Sequence, residues 1–436
     1  MYDELSGDRA VLARLAEWRA DLAVRQRRRA VCDEVCAGVF DVEEARAAAD
    51  SGMEAADALG LLWGIDAALE RINPYRASTP PVSLAGMVSW YQRESRFSSD
   101  AVDGALIPRS QDSGRPNQEP ATFRDAFPGV LRVQGLAWDE AERVRLPLLS
   151  QLSLAEIPDG LLVGCAPVLN DPGELRWDVR DRNDVSYYEA RVDDAVVRAR
   201  QSEIMRGLDD AGVLLGIAPE LSCSGGLVRD WRSTLDSSLS PDSGLRWIFA
   251  GSGDLDGAAR PVNAGLLLDA TNGETLLRQD KMYAFTLTGD QVESWKLPLP
   301  HVEALDEDIR RGERLHLVET GVGWLTVLIC QDLAEQAEID DLVIEHGVRW
   351  ILAPVFSEPT EPHYWEHQMA KRYAVEAGST TIVANSLVVA RGRGEKGPAH
   401  TALVHGPGGH LGAKTSAPTD VAAFAITQAS VSLYAP

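Results

Sequence analysis

The sequence predicts an α/β fold preceded by a mainly helical N-terminal region. From about residue 160 onward, short apolar segments alternate with longer amphipathic ones, as strands and helices do in layered α/β domains. Before that point, residues 9 to about 73 are rich in Ala, Leu and Glu, with apolar residues at helical spacing. The two halves of the chain therefore have different patterns.

The length of 436 residues exceeds what one hydrophobic core usually serves, so we expect two domains. Residues 1–155 are predicted to be a mainly helical extension with a Pro/Ser-rich linker, since residues 74–128 are rich in Pro, Ser, Gly and Arg. A second helix-like run, DEAERVRLPLLSQL, covers 139–152. Residues 156–436 are predicted to form the α/β domain.

Within the second half, each apolar run of strand length is predicted to be a strand. The predicted strands are GLLVGCAPVL (160–169), GVLLGIAPEL (212–221), LRWIFAGSG (245–253), NAGLLLDA (263–270), GWLTVLICQD (323–332), RWILAPVFS (349–357), TTIVANSLVVA (380–390) and ALVHGPGG (402–409). Helices are predicted at 188–211, 339–347 and 364–378.

The amino-acid composition indicates which partners and which cellular compartment to expect. The net charge of −24 disfavours nucleic acid and anionic membranes. Neither a transmembrane run nor a signal-peptide pattern is evident. Five cysteines in so long a chain form no disulfide framework, which suits a reducing cytoplasm. We expect a cytoplasmic protein that acts on a small molecule.

Three apolar segments end on, or run into, a single reactive side chain. They offer Glu220 in APELS, Lys281 in LLRQDKMYAF and Cys330 in TVLICQDL, and neighbouring strand ends could bring these together. A thiol becomes a nucleophile when a base takes its proton, and a carboxylate in an apolar pocket can be that base. An ammonium group can stabilise the thiolate and an oxyanion. The three residue types suit acyl transfer through a thioester.

The segments that carry these residues resemble the nitrilase superfamily of carbon–nitrogen hydrolases. APELS resembles its glutamate motif, RPVNAGLLLDATNGETLLRQDKMYAF its paired strands leading to the lysine, and GVGWLTVLICQDL its cysteine motif. The succeeding strand, helix and strand, RWILAPVFSE to STTIVANS, also match in order. The resemblance covers about residues 160–415 and leaves the first 155 residues unexplained.

The resemblance implies a four-layer α-β-β-α sandwich, a homodimer or higher homo-oligomer, and no metal or organic cofactor. It makes Glu220 the general base, Lys281 the oxyanion-stabilising cation and Cys330 the nucleophile, with the backbone amide of Gln331 helping to hold the oxyanion. A second glutamate is matched to Glu293, with Asp290 as a rival.

Other candidates carry a weaker signal. His363, Tyr364 and Trp365 are predicted near the pocket mouth, where they would touch substrate or simply pack in the core. His363 and His367 lie four residues apart, as a metal pair could, but we expect a helix face and no metal. Cys223 lies in a Gly-rich turn and is not expected to be the nucleophile.

The predicted function is hydrolysis of a non-peptide C–N bond, with an amide as the first expectation. Nitriles, ureas and N-carbamoyl compounds undergo related chemistry, and an acyl acceptor other than water would make the protein a transferase. The alternative from another class is a catalytically retired scaffold that binds or regulates a partner. Intact Glu220, Lys281 and Cys330 argue against that alternative.

Overall fold

The computed structural model describes residues 17–18, 21–37, 39–41, 45, 47–48, 52–72, 105–108, 130–133, 141–145 and 161–434, apart from 184, 241–242, 259, 321–322, 336–338, 362–363 and 428–429. Among these residues, no helix combines the length and apolar character needed to cross a membrane.

The described residues before 140 include two long helices and two short strands. Helices α1 (Leu22–Ala37) and α2 (Ala55–Ile72) pack on each other. They approach closely at Gly64, where a Cβ atom would lie 2.4 Å from the Val31 Cβ, so this position needs a residue without a side chain. Strands β1 (Ala105–Pro108) and β2 (Val130–Val133) form an antiparallel pair.

Two seven-stranded sheets form the centre of the remaining described chain. The first has the order β10-β9-β8-β7-β4-β19-β20 and the second the order β18-β17-β16-β15-β14-β13-β3. The first sheet consists of β4 (Leu161–Cys165), β7 (Leu215–Ile217), β8 (Trp247–Asp254), β9 (Asn263–Asp269), β10 (Thr275–Asp280), β19 (Ala422–Ile426) and β20 (Val431–Leu433). The second consists of β3 (Ala141–Arg145), β13 (Leu315–Thr320), β14 (Gly323–Val327), β15 (Trp350–Val355), β16 (Thr380–Asn385), β17 (Ala399–Gly406) and β18 (Gly409–Thr415).

A four-stranded sheet of order β11-β12-β6-β5 accompanies them. Its strands are β5 (Leu175–Arg182), β6 (Val185–Val192), β11 (Thr286–Thr288) and β12 (Ala304–Glu307). The helices of this region are α3 (Asp194–Asp210), α4 (Gly225–Ser238), α5 (Gly289–Ser294), α6 (Gln331–Ala334), α7 (Ile339–Glu345), α8 (Trp365–Glu376) and α9 (Val388–Gly392).

The apolar residues of the first sheet are divided between two cores. Phe249 and Leu267 belong to a cluster that also contains Ile351 and Val383 of the second sheet. Their neighbours Ile248, Leu266 and Leu268 point the other way and join a cluster with side chains of α3 and α4. Because side chains alternate along a strand, the runs WIF and LLL are buried on both faces.

Helices α7 and α8 contribute to the cluster that contains the second sheet. Leu342 and Val343 come from α7, and Met369 and Tyr373 from α8. The mixed α/β prediction is therefore confirmed for the described residues.

Two predicted helices are wrong in part. Residues 188–192 lie in strand β6, where Val185–Val192 pairs antiparallel with β5, and the helix begins only at Asp194, capped by the Asp193 side chain. Residues 141–145, predicted as helix, form β3 and pair in parallel with β13. Backbone pairing with a neighbouring strand overrides the helix propensity of AERVR. Strand β3 also places residues before 156 in the second sheet.

Candidate active site

Glu220, Lys281 and Cys330 each follow the end of a strand, and the two sheets bring them together. Lys281 comes directly after β10, while Glu220 and Cys330 lie three residues beyond β7 and β14. The backbone N–H of Lys281 donates to the carbonyl of Asn263, at 2.8 Å. That of Cys330 donates to the carbonyl of Pro354, at 2.9 Å. Hydrogen bonds to neighbouring strands thus fix the backbone positions of Lys281 and Cys330.

Lys281 bridges two buried carboxylates. Its Nζ lies 2.7 Å from Glu220 Oε1 and 2.7 Å from Glu307 Oε2. Exposure is 2% for Glu220, 1% for Lys281, 6% for Glu307 and 3% for Cys330, so all four groups are shielded from water. Buried charges persist when they are paired and hydrogen-bonded in this way.

Asn263 forms a second, uncharged bridge between the same carboxylates. Its Nδ2 donates to Glu220 Oε1 at 2.9 Å and to Glu307 Oε1 at 3.1 Å. Glu307 Oε2 also accepts the backbone N–H of Phe285 at 3.0 Å. Glu307 therefore receives three donors, and its two oxygens are held in fixed positions.

The turn that carries Cys330 is strained. Its φ of 48° and ψ of −102° lie in a region that non-glycine residues rarely adopt, and such a conformation typically costs about 1–3 kcal/mol. Cys330 immediately precedes the short helix α6, of which Gln331 is the first residue. Strain of this kind is retained where the surroundings hold a side chain in a required position.

Asp332 ties this turn to the lysine segment. Its Oδ1 accepts the backbone N–H groups of Met282 and Tyr283, at 3.0 and 2.9 Å, and its Oδ2 accepts that of Ile329, at 3.2 Å. Burial raises the pKa of Asp332 to about 7, although Lys281 and the three N–H donors pull it down. Asp332 thus joins the Cys330 turn to the residues just after Lys281.

The Cys330 thiol donates one hydrogen bond and lies near Glu220. Its Sγ donates to the carbonyl oxygen of Phe356, at 3.9 Å, and Glu220 lies close enough to influence the thiol electrostatically. Burial raises the pKa of Cys330 well above its usual value; Glu220 raises it further and Lys281 lowers it. The resting thiol is therefore protonated and faces a carboxylate.

Burial and the neighbouring charges also shift the two charged partners. Burial raises the pKa of Glu220; Lys281 opposes this shift and Glu307 adds to it. Burial lowers the pKa of Lys281, but Glu220 and Glu307 outweigh that effect, so the net shift is well upward. Lys281 is accordingly an ammonium at neutral pH.

The match of the second glutamate to Glu293 requires a correction. Glu293 and its rival Asp290 are exposed on helix α5, outside the buried cluster. Thr288 and Gln291 form a capping box that fixes the start of this helix and leaves both carboxylates at the surface. The second carboxylate that contacts Lys281, besides Glu220, is Glu307, 26 residues after the lysine.

The remaining predicted site residues have different outcomes. His363 lies outside the described residues. Tyr364 is half-buried at the start of α8, and Trp365 packs against the core cluster that also contains Cys330. His367 lies beside His405 and His410.

Aromatic residues near the cluster were not identified from the sequence. Tyr188 of β6 is buried, and its pKa is raised well above the usual value by burial and by Glu307, against the opposing effect of Lys281. The ring of Trp177 lies 6.1 Å from those of Tyr188 and Phe356, and Trp295 packs edge-on against Phe356. Because residues 188–192 were predicted to be helical, Tyr188 was not recognised as a residue near the cluster.

No protein-family model and no curated protein matches the chain. Among solved structures, the chain is similar to an amidase from Nesterenkonia sp., at 16% identity over 61% of this chain and 89% of that one, with a TM-score of 0.40. It is also similar to Saccharomyces cerevisiae Nit3, a member of branch 10 of the nitrilase superfamily, at 13% identity over 60% and 88%, again with a TM-score of 0.40. A mutant of the Nesterenkonia AN1 amidase, from the nitrilase superfamily, has 16% identity, 60% and 92% coverage and a TM-score of 0.39. Similarity to solved nitrilase-superfamily structures thus accompanies the sequence resemblance, at identities that assign this chain neither an activity nor a substrate.

Proposed function

We propose that the protein is a cysteine-dependent hydrolase that cleaves a non-peptide C–N bond, an amide first, through a thioester acyl-enzyme. The observation that carries the proposal is the buried cluster in which Lys281 bridges Glu220 and Glu307 beside the thiol of Cys330. A buried carboxylate and ammonium in contact, with a buried thiol inside their electrostatic reach, are the parts that acyl transfer needs.

In the first half-reaction, Glu220 accepts the thiol proton and the Cys330 sulfur forms a bond to the amide carbonyl carbon. The oxygen gains negative charge as the carbon becomes tetrahedral. Two N–H groups of Lys281 are used by Glu220 and Glu307, so the third can hold this oxygen together with the backbone N–H of Gln331. The C–N bond then breaks, and the leaving nitrogen takes the proton from Glu220.

In the second half-reaction, water attacks the thioester. Glu220 takes a proton from the water, a second tetrahedral intermediate forms, and the C–S bond breaks. The acid leaves, and the departing sulfur takes the proton back from Glu220. Glu220 therefore acts as base, acid, base and acid in turn, which suits a carboxyl group whose pKa burial has raised.

Glu307 and Asn263 position the groups that react. Glu307 holds the ammonium of Lys281 together with Glu220, and Asn263 donates a hydrogen bond to each of the two carboxylates. The aromatic side chains of Trp177, Tyr188 and Phe356 support a water-poor environment in which these contacts are stronger than they would be in water.

The proposal includes the four-layer sandwich fold that the nitrilase resemblance implies. Helices α3 and α4 on one sheet and α7 and α8 on the other support the four-layer α-β-β-α arrangement. The homo-oligomer and the cytoplasmic location stay predictions of the sequence.

The test is a screen of primary amides, N-carbamoyl compounds, ureas and nitriles for ammonia release, with Cys330→Ala as control. Turnover by the wild type that disappears in the variant supports the proposal. Turnover that survives in Cys330→Ala excludes Cys330 as the nucleophile. If no class is turned over and iodoacetamide alkylates Cys330 no faster than the other cysteines, the retired scaffold is the better explanation.

A further inference from the structure

Three histidines from three separate elements converge far from Cys330. His367 comes from helix α8, His405 from strand β17 and His410 from strand β18. One ring nitrogen of each lies within 4.8 Å of those of the other two. The ring centroids are 5.2 Å apart for His367 and His405, 4.6 Å for His367 and His410, and 5.2 Å for His405 and His410.

The hairpin between β17 and β18 fixes two of the three. His405 and His410 are directly opposed in the antiparallel register, and Gly406 pairs with Gly409 to close the turn. Opposed side chains point to the same face of a sheet, so the two imidazoles stack with an interplanar angle of 16°. Helix α8 packs on β17 and places His367 against both rings.

The histidine cluster is partly shielded from solvent. His405 is buried, and its Nδ1 has no hydrogen-bond partner among the described residues. A buried imidazole nitrogen without a hydrogen-bond partner is available as a metal ligand.

We propose that His367, His405 and His410 bind one divalent transition-metal ion, with Zn²⁺ as the best fit. Zinc takes imidazole nitrogens at about 2.0–2.1 Å in a tetrahedral arrangement, so ligand nitrogens about 3.3 Å apart are needed. Small rotations of the three side chains would bring their ring nitrogens from the observed spacing, within 4.8 Å of one another, to this distance. Three protein ligands leave the fourth position to water. His410 is exposed, which gives an ion a route of entry.

The site is separate from the proposed catalytic cluster. His405 pairs with Thr381 near the start of β16, whereas Asn385 at the far end of β16 hydrogen-bonds to Ser357, next to Phe356. Four residues of strand separate the two ends by about 13 Å. A bound ion would therefore join α8 to the β17–β18 hairpin and would not take part in the C–N chemistry, so the inference stands whether or not the hydrolase proposal does.

The test uses full-length protein without a polyhistidine tag, first treated with a chelator. ZnCl₂ is titrated in competition with a chromophoric chelator, and bound zinc is measured by mass spectrometry after dialysis. The variants are His410→Gln and His367→Gln, with His301→Gln as matched control because His301 is exposed and outside the cluster. Circular dichroism without metal checks that each variant is folded.

We expect one zinc per chain in the wild type and in His301→Gln. Loss of an outer-shell partner alone weakens metal binding by about 10–100-fold, so loss of a direct ligand in either cluster variant should weaken it by at least about 100-fold. Zinc at about 100 times its Kd should raise the Tm of the wild type by about 5 °C and leave that of His410→Gln unchanged. Co²⁺ should give the intense visible absorption of a four-coordinate site. No stoichiometric zinc in the wild type, or equal zinc affinity in His410→Gln and the wild type, overturns the proposal.

Discussion

The exchange of Glu307 for Gln tests which glutamate completes the cluster. Glu307 Oε2 accepts Lys281 Nζ at 2.7 Å and the N–H of Phe285 at 3.0 Å, while Oε1 accepts Asn263 Nδ2 at 3.1 Å. The new amide has one oxygen and one NH₂ group. Whichever way it turns, the NH₂ group faces a donor: Asn263 in one orientation, Lys281 and Phe285 in the other.

The size of the expected loss in kcat/KM follows from the hydrogen bond that the substitution removes. Glu307→Gln removes one of the two charge-assisted hydrogen bonds that hold Lys281, and such bonds are worth about 1.5–3 kcal/mol. If that energy positions the ammonium for the oxyanion, kcat/KM should fall about 10- to 150-fold, at about 1.4 kcal/mol per factor of ten. Glu293→Gln changes an exposed side chain outside the cluster and should leave kcat/KM within about twofold.

The assay is ammonia release from an amide identified in the screen, measured for both variants and the wild type at equal folded concentration. Iodoacetamide labelling of Cys330, followed by intact mass, gives a readout that needs no substrate. A large loss in Glu293→Gln together with wild-type activity in Glu307→Gln would refute the assignment of Glu307.

Three further outcomes are expected. Glu220→Gln removes the proton acceptor of Cys330 and should slow its alkylation by iodoacetamide at pH 7 by at least about 100-fold; an unchanged rate would exclude Glu220 as the base. Asp332→Asn turns an amide NH₂ toward a backbone donor, so it should lower the free energy of unfolding by about 1–3 kcal/mol. Urea titrations measure this loss, and an unchanged value would show that the turn does not need the carboxylate. The pKa of His405 is lowered to about 4 by burial and by His367, so between about pH 6.5 and 4 the unfolded chain binds a proton that the folded chain does not, and stability falls on acidification. Urea midpoints in EDTA at pH 5 and 7 should therefore differ less for His405→Phe than for the wild type; an equal difference would remove His405 as the cause.

The positions of Glu220 and Cys330 were accessible from the sequence because each lies at the end of a recognisable apolar strand, and that of Lys281 because the segment before it resembles the paired strands of the nitrilase superfamily. The pattern of apolar residues identifies such strands, and the ends of neighbouring strands lie close together in a sheet. The three residues could therefore be selected without knowing the order of the strands. The structure brings all three together, which the sequence alone could only predict.

Glu307 and Asn263 were not accessible in the same way. Glu307 ends β12, a strand of four residues in the small sheet, and the sequence ALDE has too little pattern to identify it. Asn263 begins a recognised strand, but its amide bridges two carboxylates that lie 43 and 44 residues away. Their roles depend on the pairing of β12 with β6, and β6 was predicted as helix in part.

The raised pKa of Cys330 is compatible with a role as nucleophile once the charges of the cluster are counted together. Lys281 contributes one positive charge and Glu307 one negative charge, while Glu220 and Cys330 share one proton, so the net charge is −1 wherever that proton lies. Its transfer from sulfur to Glu220 leaves that total unchanged, whereas its loss to water would bury a net charge of −2, which burial strongly opposes. The high pKa describes loss of the proton to solvent, and the titration belongs to the coupled groups and not to the thiol alone. A buried cysteine in this setting needs no low pKa of its own; it needs a proton acceptor inside the cluster. Lys281 favours Glu220 in that role because it opposes the rise in the pKa of Glu220 that burial causes.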